Sequence, residues 1–193
     1  MLSIDEVLTM TIENMKTNQP RITTGTLKGR KLKVPESARP FTERVKISMF
    51  DLISEYIKDA KVLDLFAGSG NLGIEALSRG ASYVQFVEND EKSIKVIREN
   101  LIGLDLQNQT RVTNLDVFKF LKINKDKFDI IFIDPPFSMD FIMRFEELEK
   151  SLTENGIIVL KLEEGNDKYK VQDLEIVYTK KIGSNVLYFL KRV

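Results

Sequence analysis

The sequence contains no cysteine and no histidine. The first absence excludes any disulfide, which fits a reducing, cytoplasmic setting. Together the two exclude a Cys/His zinc site, a Ser-His-Asp triad, a Cys-His pair and any imidazole acid or base. No metal is therefore expected, and chemistry must come from carboxylates, amides, hydroxyls, backbone groups, Lys, Arg or a bound cofactor. Long apolar runs are also missing. None approaches the ~18–20 residues that span a bilayer, and the acidic start MLSIDEVLTMTIENMK does not read as a signal peptide. No membrane partner is expected. Charge of one sign is missing as well: 29 basic residues balance 29 acidic ones. What remains is a chain of 193 residues, 42% apolar, enough to bury the core of one domain.

Three regions differ in character. Residues 1–20 read as an amphipathic helical extension ending in a TNQP linker, with Ser3 and Glu6 placed as a capping box. Residues 21–40 are rich in Thr, Gly and basic side chains and read as a basic β-hairpin and loop, with Pro35 and Pro40 as punctuation. From residue 41 to 193 the pattern becomes a helix over about 42–58 followed by strand–helix alternation. Strands are expected at Lys61–Phe66, Tyr83–Val87, Thr110–Leu115, Phe128–Ile133 and Gly156–Leu162. Helices lie between them: one from the glycine loop through Arg79, one from an Asp90 cap to about Gly103, a short one at Val117–Leu121, and one over about 140–152. A hairpin of Leu174–Lys180 and Val186–Lys191 closes the chain. Such alternation predicts an α/β fold: a Rossmann-like, seven-stranded, mostly parallel sheet with helices on both faces and an antiparallel C-terminal hairpin.

Two motifs fall at strand ends, where open α/β sheets bind ligands. After the first strand comes Asp64-Leu65-Phe66-Ala67-Gly68-Ser69-Gly70-Asn71-Leu72-Gly73. Its glycines allow a sharp turn and close approach of a ligand, and Glu88 follows Gly68 by 20 residues, at the end of the second strand, suited to accept ribose hydroxyls. A dinucleotide fits this pattern, with its pyrophosphate on the helix N-terminus. S-adenosylmethionine also fits, with Asp64 as the loop carboxylate that suits its charged methionine part. A purely structural turn would use the same glycines. After the fourth strand comes Asp134-Pro135-Pro136-Phe137. Each proline fixes its own φ and restricts the residue before it, so Asp134 is expected to be extended with its carboxylate and carbonyl facing the crevice. Two such acceptors can hold an exocyclic amine with its lone pair toward a methyl donor, a matter of positioning and charge stabilisation that needs no histidine. Phe137 offers a ring for base stacking. Methylation at a pyrimidine ring carbon needs a thiolate, which this chain lacks, so an exocyclic nitrogen is the better target. A rigid corner with a buried Phe is the bland alternative.

With these motifs in place, the sequence resembles the RsmD family of S-adenosylmethionine-dependent methyltransferases, which modify N2 of one guanine in 16S ribosomal RNA. The resemblance runs over about residues 21–193. It rests on Arg21–Pro35 (R-I-x-x-G-x-x-K-G-R-x-L-x-x-P), Arg39–Lys46, Val62–Ala81 and Phe128–Phe137. It implies that Asp64, Phe66, Gly68 and Gly70 line the cofactor, that Glu88 holds its ribose and that Asp116 lies near the adenine. It also implies that Asp134, Pro135, Pro136 and Phe137 hold the target guanine. The sequence departs from the family pattern at Phe41, where a small Thr is usual, at Ile47, where an acidic residue is usual, and at Lys161, where Glu is frequent.

Residues 21–46 carry eight basic side chains against Glu36 and Glu43, a net +6 that leaves the rest of the chain at −6. That concentration suits phosphates, and Arg21, Lys28, Arg30, Lys31, Arg39 and Arg44 are the expected RNA contacts. A solvated charged loop is the alternative. The expected partner is 16S rRNA or a small-subunit assembly intermediate. Other readings are an amino-methyltransferase acting on adenine N6 or cytosine N4 of DNA or RNA, a non-catalytic RNA-binding assembly factor, and a dehydrogenase. The last leaves the Pro pair and the basic segment without a role.

Overall fold

The computed structural model describes residues 19–35, 42–136, 145–164 and 174–193. The expected N-terminal helix, the 36–41 loop with Arg39, Pro40 and Phe41, and Phe137 lie outside the described residues.

Thr42 caps the first helix, α1 (Glu43–Leu52), its hydroxyl accepting from the Val45 amide. The expected single helix breaks at Ile53, whose backbone leaves the helical region, and resumes as a short α2 (Ser54–Ile57). Then follow β1 (Lys61–Leu65), α3 (Asn71–Ser78), β2 (Tyr83–Glu88), α4 (Glu91–Gly103), β3 (Thr110–Asn114), α5 (Val117–Ile123), β4 (Phe128–Ile133), α6 (Phe145–Ser151), β5 (Leu152–Glu163), β6 (Leu174–Ile182) and β7 (Asn185–Arg192). Asp90 and Asp116 cap α4 and α5, each side chain accepting an amide N–H three residues on, which satisfies a donor that a helix start leaves free. Strand β5 begins four residues earlier than the apolar run Gly156–Leu162 suggests, because Leu152 already pairs with Phe128.

The seven strands lie in the order β3-β2-β1-β4-β5-β7-β6. The first five are parallel, and β7 runs antiparallel to both β5 and β6, so that β6 points the same way as the first five. Side chains alternate across the sheet as strand geometry requires. Val62, Val84, Ile130 and Phe132 face a core built with Met49, Phe50 and Ile97. Leu63, Leu65, Ile131 and Ile133 face a second core with Phe120, Leu121 and Leu148. Each side chain so buried is worth ~1.5–3 kcal/mol. Among the described residues no helix is long and apolar enough to cross a membrane.

The expected hairpin at 21–35 is present in abbreviated form: one antiparallel bridge, Arg21 to Lys31, closes a run of turns. What holds it is the body of the protein. Ile22 and Leu32 are buried in the first core. Gly25 lies so close to α3 that a Cβ there would sit 1.7 Å from the Ser78 carbonyl oxygen, so only glycine fits. The Thr26 amide donates to that carbonyl at 2.8 Å.

Under this loop sits a buried ionic cluster. Lys46, on α1 and fully buried, pairs with Glu75 of α3 at 2.9 Å and donates to the Arg21 carbonyl and Asn71 Oδ1. Glu75 also accepts from the Thr23 amide and hydroxyl, the Thr24 amide and Arg79 Nε. Burial pulls the Lys46 ammonium below its usual range, against the attraction of Glu75. For Glu75 burial works upward, but Lys46 and the Thr23 donors outweigh it and hold the carboxyl below its usual range. One of the eight basic residues counted toward the RNA-facing segment is thus structural, and Lys33 is engaged with Glu99 at 2.8 Å.

Candidate active site at the carboxyl edge of the sheet

Strand β1 lies between β2 and β4. The segments following these three strands therefore meet at one edge, and they carry the glycine loop, Glu88 and Asp134.

The loop after β1 is held by its own backbone. Phe66, Gly68 and Gly70 all have positive φ, at 58°, 56° and 77°. For Phe66 this left-handed conformation is strained, costing of order 1–3 kcal/mol. The Ala67 amide donates to the Val87 carbonyl, and the Gly70 amide to the Ala67 carbonyl. Asp64 lies beneath the loop, 2% exposed, and its Oδ2 accepts the Gly73 amide at 2.9 Å. Gly73 is pressed against Phe86, where a Cβ would come within 2.4 Å of the ring. This explains both the third glycine and the proximity that lets Asp64 brace α3. Burial pushes the Asp64 carboxyl well above its usual range. The Gly73 N–H works against this, while the charges of Asp134 and Glu88 add to it.

Glu88 ends β2. Its Oε2 accepts from the Gly68 amide at 2.9 Å, and its Oε1 from the amides of Asn89 and Asp90 at 2.8 and 3.0 Å. A carboxylate offers about four lone-pair sites, so one remains while Gly68 is bound and two once it is released. That count fits a ribose diol. Partly buried Phe66, Leu115 and Phe118 pack against the second core, an apolar surround suited to a flat heterocycle. Asp116, expected near an adenine, spends Oδ1 on the Lys119 amide as a helix cap. These donors, acceptors and apolar surfaces fit an adenosyl cofactor. Among the described residues no group of three or more Asp or Glu side chains could hold a metal ion.

Asp134 follows β4 directly and is 26% exposed, with Pro135 half-buried and Pro136 exposed beside it. Burial raises its carboxyl above the usual range, and Lys161 works the other way. The register that sets Ile133 against Leu160 puts the next residues, Asp134 and Lys161, side by side. The Lys161 ammonium forms an ion pair with Asp134 Oδ1. Reading the site from sequence missed this pair, although Lys161 stands out as the one charge within the apolar run Gly156–Leu162. The basic residues Arg21, Lys28, Arg30, Lys31 and Arg44 are exposed. Arg30 reaches the Gly103 carbonyl at 3.1 Å, and that contact leans the loop on α4. The basic segment and the glycine loop are joined through Asn100, whose Oδ1 accepts the Lys33 amide at 2.9 Å and whose Nδ2 donates to the carbonyls of Lys33 and Ser69, each at 3.0 Å.

A sheet of this order, with a glycine loop after β1, a carboxylate after β2 and Asp-Pro-Pro after β4, defines a Rossmann-like methyltransferase. The comparisons narrow the class. A family model described as "Conserved hypothetical protein 95" matches residues 20–191, and the chain belongs to that family, which is the RsmD family. Ribosomal RNA small subunit methyltransferase D of Buchnera aphidicola is 32% identical over 181 residues, covering 91% of this chain and 94% of its own. The solved structure of Escherichia coli yhhF superposes with a TM-score of 0.80 at 33% identity, over 91% of this chain and 98% of its own. At the level of fold alone, SMU.776, solved in complex with SAH, superposes with a TM-score of 0.58 at 17% identity, over 73% of this chain and 48% of its own.

Proposed function

We propose that the protein transfers a methyl group from S-adenosylmethionine to the exocyclic N2 amine of a guanine in 16S ribosomal RNA. The observation that carries this reading is the convergence of Asp134, Asp64 and Glu88 toward the ends of three adjacent strands, close enough that the charges of Asp134 and Glu88 act on Asp64. The name of the Buchnera relative, a ribosomal RNA small subunit methyltransferase, supports RNA as the substrate, and the SAH-bound neighbour shares the fold.

When bound, S-adenosylmethionine supplies an electrophilic sulfonium methyl group. Glu88 holds the ribose hydroxyls, with Gly68 giving up its N–H contact to free the second acceptor site. Asp64 braces the turn and sets a negative charge beneath the methionine part. Gly70 keeps the backbone low enough for close approach. Asp116 and Phe66 border the adenine. At the other side of the crevice, Asp134 accepts the hydrogens of the amine through its carboxylate and carbonyl, turning the nitrogen lone pair toward the methyl group. Pro135 and Pro136 fix the direction of that carbonyl, and Phe137 stacks on the base. Positioning of this kind contributes up to ~7–11 kcal/mol in well-oriented reactions. The target guanine must leave its stack, so a loop or exposed hairpin is a better substrate than intact duplex. Arg21, Lys28, Arg30, Lys31, Arg39 and Arg44 bind the flanking phosphates.

The test is Asp134→Ala. It is expected to abolish methyl transfer and to leave cofactor affinity, measured by calorimetry, within about threefold of the parent. Full activity in that variant overturns the mechanism.

A further inference from the structure

Resting on the reading of Asp134 as the acceptor for the target amine, one contact at the site remains without a role: the ion pair that Lys161 makes across the β4–β5 edge. We propose that Lys161 is a positioning residue for the reaction. Its ammonium clamps Asp134 Oδ1, fixing the carboxylate in its charged form and in one orientation, and leaves Oδ2 and the backbone carbonyl as the pair that receives the amine.

The geometry carries this in three steps. First, both partners are withdrawn from water, Lys161 at 12% and Asp134 at 26% side-chain exposure. Pairs so placed are weak contributors to stability, because desolvation offsets most of the attraction. A packing role alone does not account for the lysine. Second, among the described residues the influences on the Asp134 carboxyl oppose each other: burial favours the protonated acid, and Lys161 on β5 favours the charged form. The neighbouring carboxyl of Asp64 on β1, with Glu88 on β2 beyond it, is held toward its own protonated form by the Asp134 and Glu88 charges. Without the ammonium, burial favours the protonated acid. Third, the protonation state matters to the chemistry. A carboxylate is acceptor-only, whereas a carboxylic acid carries an O–H donor. A protonated Asp134 would aim that donor at an amine whose hydrogens need acceptors. Lys161 therefore guards the acceptor character of the site while occupying only one of the two carboxylate oxygens.

The experiment follows the Asp134 carboxyl carbon by 13C NMR through a pH titration of the full chain, assigned by its loss in Asp134→Asn, in the parent protein, Lys161→Met and Lys161→Arg. Steady-state methyl transfer is measured on the same three proteins. The Asp134 midpoint is expected to rise in Lys161→Met and to return in Lys161→Arg. The acid limb of kcat should move with that midpoint. The kcat of Lys161→Met should fall by roughly 10–100-fold, with KM for the cofactor unchanged. A midpoint that does not move, or a kcat loss equal at every pH, overturns the clamp. A midpoint that moves while the parent protein methylates no RNA supports the clamp and overturns the proposed activity instead. The NMR readout does not depend on turnover, so the two failures are distinguishable.

Discussion

Replacing Gly25 by alanine is a severe perturbation of the basic loop that leaves every charge in place. Its φ of 87° lies in the left-handed region, and an added Cβ would meet the Ser78 carbonyl oxygen at 1.7 Å and its carbon at 2.3 Å. That carbonyl belongs to the backbone of α3 and cannot swing aside. The loop must lift, losing the 2.8 Å bond from the Thr26 amide to Ser78 O, the 3.0 Å bond from the Leu27 amide to Ser78 Oγ, and the bond from that hydroxyl to the Thr24 carbonyl. Three such bonds are worth about 1 kcal/mol each. Partial exposure of Ile22 and Leu32, both 1% exposed in the parent, adds about 1–2 kcal/mol. The expected loss of ~4–5 kcal/mol corresponds to a fall in Tm of roughly 8–20 °C for a domain of this size. Thermal unfolding followed by circular dichroism reads it, and amide exchange at Thr26 should accelerate in the same variant. A Tm within ~2 °C of the parent, with Thr26 still protected, would refute the docking of this loop on α3.

Other expectations concern the charges beneath the loop and at the site. Breaking the buried pair should cost ~3–5 kcal/mol in urea unfolding. Glu75→Gln should cost more than Lys46→Met, because Glu75 also serves Thr23, Thr24 and Arg79; equal losses would contradict the cluster as described. The folded Asp64 carboxyl binds its proton more tightly than the unfolded one. Its charge therefore destabilises the fold increasingly as pH rises from the unfolded carboxylate range through the raised folded value. The stability of Asp64→Asn relative to the parent should grow with pH over that span, while its cofactor affinity falls; a pH-independent difference would sink this reading. Replacing Lys28, Arg30 and Lys31 together by alanine should weaken RNA binding and lower the salt slope by up to about 3 units, with cofactor binding unchanged. An unaltered slope would place the RNA elsewhere.

The strands were legible in the sequence because each buried strand is a short apolar run bounded by polar or glycine residues, and β4 falls on Phe128–Ile133 as its pattern indicates. The cap at Asp90 follows from local chemistry that the sequence displays directly, whereas Thr42 was not read as a cap and Asp116 was read only as a neighbour of the adenine. What was not legible depends on contacts between distant residues. Nothing near Lys46 indicates that its charge is buried on Glu75, and counting it with the exposed cations overstates the basic face. The 21–31 loop has the turn residues of a hairpin and pairs across itself only near its base, Ile22 with Gly29 and Arg30, whereas the amides of Thr23, Thr24, Thr26 and Leu27 go to α3. Asp64 and Glu88 were found by their spacing from the glycines. Lys161 stood out in the sequence as a departure from the family pattern, but its partner became visible only once the register of β4 and β5 set it beside Asp134.

The measurement that tests the account most directly is transfer of tritiated methyl from S-adenosylmethionine to unmethylated small ribosomal subunits, with the RNA then digested to nucleosides. The account predicts label in N2-methylguanosine and none when Asp134 is replaced by alanine. Label in N6-methyladenosine or N4-methylcytidine, or no label despite measured cofactor binding, would contradict it.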